Sequence, residues 1–523
     1  MNTADFLSIP ASIVPEQALM LFEGQRHTYR ETHARVTRLA NALAALGICK
    51  GDHIAVLDTN SPRYIEAYFA ASTLGAVFVP LNYRATADEL EYMLTVADTR
   101  VLLVGDRYVP LVAQVRHGLP RVTQFIALES PAAWMRSCEE LIAGGGDEAI
   151  EADMDEDDVN ILMYTSGTTG RPKGVMLTHG DFVAYVCGHM ELADGTPRGA
   201  GLLCVPLYHI AGMTSVMAGC FTGRGLVILR QFEATAWLET VRRERISHAF
   251  LVPTMLKRVI DHPEFHRYDC SSLEVLAYGA APMPLPVIRR AIELFPPSVG
   301  FINAFGQTET TATVTMLLPE DHRLDGTPEE IEARLRRLSS IGRPMSDVEL
   351  KIVDAEGHAV PTGAVGEIAV RTPRLMKGYA SQADATAQTI VDGWLHTRDM
   401  GWMDQDGYLY LAGRKDDMII RGGENIAPAE VEAVLHAHPG IEEASVIGVP
   451  DPEWGEQVAA IVVPRPGTTL THEEVIAWCH HRVASFKKPA VVHFVRELPR
   501  TPLGKLLRKE LRQRFAPGVG GTP

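Results

Sequence analysis

The sequence predicts an α/β protein: a large N-terminal domain of two βαβ-type sheets plus a small β-barrel, then a small α+β C-terminal domain. Helix-like and strand-like stretches alternate through the first third and again over 225–305, which implies parallel sheets covered on both faces. Over 348–411 short strands are separated by Gly, Pro and Asp turns, the texture of a small barrel or sheet. Beyond Arg414 comes a compact αβ segment. At 523 residues the chain exceeds what one core usually organises, and 46% hydrophobic with 22% charged residues is a globular composition. The expected division is 1–413, a connection at 414–417, 418–515, and a Gly/Pro-rich tail at 516–523 expected to be disordered.

Each element has its own signal. Val36, Leu39, Leu43 and Leu46 recur at helical spacing and predict a helix over 29–46, closed by Gly47 and Gly51. A buried strand at 53–57, a helix at 63–74 and a strand at 76–80 follow. Residues 160–163 read as a strand. So do 226–229, 249–252, 274–278 and 300–304, with helices at 237–245 and 286–294. The strands ending at Tyr278 and Ala304 run into small-residue loops, where open α/β sheets place ligands. Residues 348–353, 366–370 and 408–411 supply barrel strands. The last segment reads as a helix at 428–435 opened by Pro, strands at 444–449 and 458–463, and helices at 473–483 and 505–515. No solenoid-period repeat is present.

A net charge of −16 gives no general attraction for nucleic acid or anionic membranes. A polyanion would need local cations, backbone N–H donors and metal. Much of the acidity lies in 147–158, which reads as a solvated linker. The seven cysteines are scattered, odd in number and without a CxxC pair, which argues against a disulfide framework or zinc site and fits a reducing cytoplasm. Residues 1–15 lack a signal-peptide pattern, and no apolar run reaches membrane-spanning length.

The most informative run is Tyr164-Thr165-Ser166-Gly167-Thr168-Thr169-Gly170-Arg171-Pro172-Lys173-Gly174. Glycines let the backbone turn tightly and bring N–H groups to an anion; the hydroxyls of Thr165, Ser166, Thr168 and Thr169 add donors, and Lys173 adds a cation. The plain alternative is a Gly/Thr-rich surface turn. The run is not the ordinary P-loop, because Lys173 lies between Pro172 and Gly174. It resembles the signature of the adenylate-forming superfamily of acyl-CoA synthetases, aryl-CoA ligases, adenylation domains and luciferases. The resemblance covers essentially the whole chain, most like a bacterial acyl-CoA synthetase, because further motifs follow in order.

Phe305-Gly306-Gln307-Thr308-Glu309 is similar to the family's aromatic-Gly-x-Thr-Glu motif, with Phe in place of the usual Tyr. The resemblance implies that Thr308 bonds a phosphate oxygen, that Glu309 with Thr165 holds Mg²⁺, and that Gly279-Ala280-Ala281-Pro282 and Asn303-Ala304-Phe305 border the adenine. Asp399, in His396-Thr397-Arg398-Asp399, resembles the ribose-binding carboxylate, with Arg398 where the family has Gly; Arg414 would add a contact. Pro499-Arg500-Thr501-Pro502-Leu503-Gly504-Lys505 resembles the last motif, whose lysine bridges the carboxylate and the α-phosphate during adenylation. The resemblance also implies a mobile C-terminal domain hinged at Asp416. In its second pose Gly422 and Gly423 would line a pantetheine tunnel, with Trp454, Phe486, Lys487 and Lys488 as coenzyme A contacts. Domain packing is the equal alternative for Trp454.

Pro206-Leu207-Tyr208-His209 matches a family element that sets His209 between acid pocket and thiol tunnel; a core histidine is the alternative. Met213, Phe250, Thr254, Tyr278, Phe305 and Thr311 flank the acid pocket and include no Arg or Lys to pair a second carboxylate. Nor does an Asp soon follow Pro206 to hold an amino group. The expectation is an ATP-, Mg²⁺- and coenzyme A-dependent ligase for an apolar monocarboxylic acid, aliphatic, alicyclic or aromatic. Loading of a carrier-protein thiol and a catalytically silent nucleotide-binding protein are the alternatives. No nucleic acid or integral membrane partner is expected, and a homodimer is left open.

Overall fold

Strands from distant parts of the chain assemble into two large sheets in the computed structural model, which describes residues 1–165, 171–422, 424–480, 482–501 and 506–516. One has eight strands in the order Gly378–Tyr379, Lys173–Thr178, Val159–Thr165, Val77–Pro80, His53–Leu57, Thr99–Val104, Gln124–Ala127, Arg136–Ser137. The other has nine, in the order Arg343–Pro344, Ala312–Leu317, Gly300–Gln307, Val275–Gly279, His248–Leu251, Ala200–Leu203, Gly225–Ile228, Ala18–Phe22, Gln25–Thr28. Both are parallel in the middle and antiparallel where Val159–Thr165 meets Lys173–Thr178 and Gly300–Gln307 meets Ala312–Leu317.

Residues buried on both sheet faces explain the near-continuous apolar strands. Phe6, Tyr29, Leu39, Tyr64, Tyr68, Phe78, Phe182 and Trp237 belong to one buried cluster that spans both sheets. Helix Tyr29–Ala45 starts at a reciprocal cap between Thr28 and Glu31 and packs on helix Pro62–Leu74, which ends at Gly75 with φ 67°.

A five-stranded sheet of Glu349–Val353, Gly366–Arg371, Ile390–Val391, Trp394–Met403 and Leu409–Arg414 stands where the sequence predicts a small barrel or sheet. A second five-stranded sheet closes the chain: Ile419–Arg421, Glu424–Ile426, Ile441–Asp451, Gly455–Pro464 and Val491–Phe494. Helices Pro428–His436, His472–Cys479 and Arg508–Phe515 cover it, and its apolar residues form their own clusters, such as Val431, Val446 and Val462.

Two expectations change. The strand predicted at 300–304 runs on to Gln307, so much of the Phe305–Glu309 motif is strand and not loop. The helices expected at 473–483 and 505–515 are shorter, His472–Cys479 and Arg508–Phe515. All seven cysteines are free thiols. Among the described residues no helix is long and apolar enough to cross a membrane.

Candidate active site

The glycine-rich run joins two antiparallel strands, with Thr165 paired to Lys173 and Tyr164 to Gly174. The Tyr164 hydroxyl donates to Met93 O at 2.6 Å, tying this hairpin to helix Ala87–Val96. Ser166, Gly167, Thr168, Thr169 and Gly170 lie outside the described residues, as do Gly423 and Lys505. Lys173 reaches toward the neighbouring edge strand, its Nζ 4.8 Å from the centre of the Tyr379 ring.

The Phe305–Glu309 motif is the end of a strand followed by the tight turn Thr308–Thr310. Gly306 sits at a bulge where a Cβ would lie 1.7 Å from Ala312 O, so only glycine allows the pairing. Gly279 meets Ala304 in the same way, its Cβ position 2.1 Å from Ala304 O. Among the described residues, nine non-glycine residues have positive φ; four of them, Ala280, Thr311, Ala312 and Arg398, fall in these segments. Such strain persists where the surroundings over-determine it, often at functional sites. At Thr311 the support is Arg374, wholly buried. Its Nη1 donates to Thr310 O at 3.0 Å and Thr311 O at 3.4 Å, and its Nε and Nη2 hold Asp347 at 2.7 and 3.2 Å. The Glu309 carboxylate accepts from the Tyr379 hydroxyl at 2.9 Å, and Glu309 O accepts from Met376 N at 2.9 Å.

Asp399 and Arg414 are opposite each other on paired strands, with Nε 2.9 Å from Oδ1. The other oxygen of Asp399 accepts from Gln307 Nε2 at 2.7 Å, and that amide also donates to Thr397 O at 3.0 Å. Each carboxylate oxygen has two lone pairs, so acceptor capacity for ribose hydroxyls is compatible with both ties. Arg398 takes φ 60°, a conformation that a glycine would adopt freely and that costs another residue about 1–2 kcal/mol. Asn303 is buried and donates to Ser340 O at 3.2 Å, a tie within the framework.

His209 caps helix Ile210–Thr222, and Met213 lies one turn into it. The Nε2 of His209 is sealed from solvent and has no partner among the described residues, and burial pushes its pKa down to about 3, so the ring is neutral at pH 7. Thr311 is fully buried and its hydroxyl has no partner among the described residues. Phe250 and Thr254 are half-buried at the end of strand His248–Leu251 and the start of helix Pro253–Ile260. Tyr278 differs: it is fully buried with its hydroxyl 2.9 Å from His322 Nε2, so that hydroxyl is committed to the core.

In the C-terminal segment Gly422 and Trp454 come together. Gly422 N donates to Trp454 O at 2.8 Å, and a Cβ on Gly422 would lie 2.7 Å from the indole. Arg421 joins them to Phe486: its Nη1 donates to Phe486 O at 2.7 Å and its guanidinium lies 5.6 Å from the Trp454 ring. Lys487 is paired with Glu430 at 2.7 Å, while Lys488 is half-buried. Asp416 pairs with Arg398, and Lys415 with the buried Glu367 at 2.9 Å. Arg500 and Leu506 form an antiparallel bridge on either side of the segment that includes Lys505, and Arg508 grips Glu432 at 2.7 and 2.8 Å.

Sequence reasoning missed Gln307, Arg374, Tyr379 and Arg421. Gln307 stood inside a quoted motif; the other three carry no local signal. A surface depression of about 640 Å³ lined by Phe22, Arg230 and Arg243 is elsewhere and includes none of these residues.

These sheets and this turn are the frame of an AMP-forming acid–thiol ligase. The chain belongs to the AMP-binding enzyme family: residues 11–380 match it, and residues 430–505 match the AMP-binding enzyme C-terminal domain. It is similar to a feruloyl-CoA synthase of Amycolatopsis sp, 38% identical over 506 residues, covering 97% of each chain. It is similar also to the fatty acid–[acyl-carrier-protein] ligase ScoC of Streptomyces coeruleorubidus, 35% identical and covering 97% of this chain and 95% of that one. Among solved structures, the anthranilate CoA ligase AuaEII in complex with anthranoyl-AMP aligns with a TM-score of 0.88 at 26% identity, over 99% of this chain and 97% of that one. AMP-forming ligases use ATP and coenzyme A.

Proposed function

We propose that the protein is an ATP-dependent carboxylic acid–CoA ligase for a monocarboxylic acid with an apolar body. A carboxylate oxygen bonds to the α-phosphorus of ATP, the bond to pyrophosphate breaks, and an acyl-adenylate forms. The thiol of coenzyme A then attacks the acyl carbon, AMP leaves, and the thioester remains.

The observation that carries this reading is the turn at Thr308–Thr310, which has Glu309 linked through Tyr379 to the neighbourhood of Lys173 on one side and Gln307 bonded to Asp399 on the other. That is a cation, a carboxylate and a ribose-type acceptor linked along one path, the kinds of group a nucleoside triphosphate needs. Glu309 and Thr165 are the proposed magnesium ligands. Among the described residues no cluster of three or more His, Cys, Asp or Glu could hold a metal alone. A single carboxylate fits magnesium, which takes its other ligands from phosphates and water. Bound there, it would neutralise charge on the phosphates.

Lys505 is proposed to bring the carboxylate and the α-phosphate together. The neutral, sealed His209 suits the mouth of the acid site, because it leaves the incoming carboxylate without a competing cation. Met213, Phe250, Thr254 and Thr311 offer the acid an apolar wall and two hydroxyls. We propose 1–413 and 418–515 as the two domains with a hinge at 414–417. Arg421, Gly422, Gly423, Trp454, Phe486 and Lys488 are the proposed coenzyme A contacts.

The test is a panel of short and medium-chain, alicyclic, aromatic and arylpropenoic acids with Mg·ATP and coenzyme A, read by AMP release and thioester mass. Thioesters of apolar monocarboxylates are expected. Turnover with dicarboxylates or amino acids alone overturns the acid class. Adenylate without thioester, but with transfer to a carrier protein, supports the second reading, favoured by the likeness to the carrier-protein ligase.

A further inference from the structure

We propose that Tyr379 is a positioning residue that holds Lys173 and Glu309 side by side without letting them pair, so that both stay available to a metal-bound triphosphate. The inference rests on the ligase reading above.

Tyr379 is placed from both sides. It lies in the two-residue edge strand Gly378–Tyr379, which pairs with the strand that begins at Lys173: Tyr379 with Val175 and Gly378 with Met176. Ala380 N donates to Gly174 O at 2.8 Å. Its own N donates to Thr386 Oγ1 at 2.9 Å, which ties it to helix Ala383–Thr389. Gly378 is needed for this approach, with φ 144° and a Cβ position 2.8 Å from Thr386 Cγ2. The ring is therefore fixed, 8% exposed, against the phosphate-loop hairpin.

Its two functional parts meet opposite charges. The hydroxyl donates to Glu309 Oε1 at 2.9 Å, and the ring face receives Lys173 Nζ at 4.8 Å from its centre. Among the described residues Lys173 forms no ion pair, with Glu309 or any other carboxylate, although both flank the same ring. A half-buried ammonium and carboxylate that contact the same side chain would attract each other if they met, and would neutralise the charge each offers a ligand. The ring quadrupole holds the cation without consuming its N–H donors. The hydroxyl takes one carboxylate oxygen and orients the group, leaving Oε2 for a metal.

The test separates the ring from the hydroxyl. Tyr379→Phe keeps the ring and loses the donor; Tyr379→Leu loses both. Binding of Mn²⁺ in the presence of α,β-methylene-ATP, without acid, is read by electron paramagnetic resonance. Binding of the analogue alone in EDTA is read by calorimetry. Tyr379→Phe is expected to weaken Mn²⁺ about tenfold, with metal-free analogue binding within about twofold of wild type. Tyr379→Leu is expected to weaken both. In a Glu309→Gln background, Tyr379→Phe should cause no further loss of Mn²⁺ affinity, which a merely structural tyrosine would not obey. A Tyr379→Phe protein whose Mn²⁺ titration superimposes on wild type, or an equal further loss in the Glu309→Gln background, overturns the inference. A wild-type protein that binds neither analogue nor Mn²⁺ overturns the ligase reading, and the inference with it.

Discussion

Gln307 couples segments 92 residues apart through one amide. Its Nε2 is the donor that reaches both Thr397 O and Asp399 Oδ2, and its strand position is set by the bulge at Gly306. A neutral donor on a carboxylate is worth about 1.5–3 kcal/mol, more than a neutral pair. Replacing it by Leu keeps the volume and removes the donor, which takes away one of the ties on the Asp399 carboxylate while the Arg414 pair remains. Gln307→Leu should therefore raise KM for ATP about tenfold, equivalent to ~1.4 kcal/mol, with acid KM nearly constant. Pyrophosphate-release kinetics at varied ATP and varied acid check this; a change confined to acid KM would refute the coupling. Arg398 is the contrasting residue. Its strained φ preserves the turn, but its pair with Asp416 is exposed, 52% and 42% for the two side chains, and contributes little to stability.

At the scale of elements, the Thr308–Thr310 turn depends on a group behind it. Arg374 is buried against the half-buried Asp347, and its removal would leave that carboxylate with His189 Nε2 at 3.2 Å and Thr372 Oγ1 at 3.4 Å, and two turn carbonyls short of a donor. Breaking a fully buried pair costs about 3–5 kcal/mol, an upper bound here because Asp347 is half-buried, whereas replacing both partners by apolar groups costs much less. Arg374→Met should thus lower the urea midpoint sharply, and Arg374→Met with Asp347→Leu should recover part of it. Additive losses in urea titrations would show that the pair does not act as a unit. Elements like the strands His53–Leu57 and His248–Leu251 were legible because buried parallel strands are short apolar runs between helices. The extension of Gly300–Gln307 was not, because Asn303, Gly306 and Gln307 look like loop residues. Glycine there answers to Ala312 O on the next strand, a contact that no local pattern encodes. The same holds for Arg374 and Tyr379, whose partners Asp347 and Glu309 lie in other segments. Thr165, Lys173 and Glu309, whose roles belong to the proposal, could be singled out because the spacing of their motifs is itself the signal.

Over the whole molecule, buried titratable groups set the response to acid. Burial pushes the pKa of His209 down to about 3 and those of His179, His248 and His322 to about 4. All four are neutral at pH 7 in the folded chain. As pH falls below the unfolded value of about 6.5, the unfolded chain takes protons that the folded chain refuses, so stability falls toward the folded values. Asp58 and Asp181 work in the opposite direction. Burial raises both to about 6, so between there and the usual aspartate range the folded chain binds protons that the unfolded chain does not. Four imidazoles against two carboxyls leave about two extra protons on the unfolded chain near pH 5, a slope on the order of 2–3 kcal/mol per pH unit. Ion-paired carboxylates such as Glu139 and Glu367, held below their ordinary range, add to the same trend at lower pH. Their causes are the hydrogen bond from Arg35 for Glu139, and for Glu367 the Lys415 bond, which overcomes burial. Two pH units of that slope approach the ~5–15 kcal/mol that typically separates a folded domain from its unfolded state. Urea midpoints, measured without nucleotide, should be nearly level from pH 8 to 7 and drop steeply between pH 6 and 4.5. Midpoints that rose over that interval would mean that the two buried aspartic acids, and not the sealed imidazoles, govern the acid response.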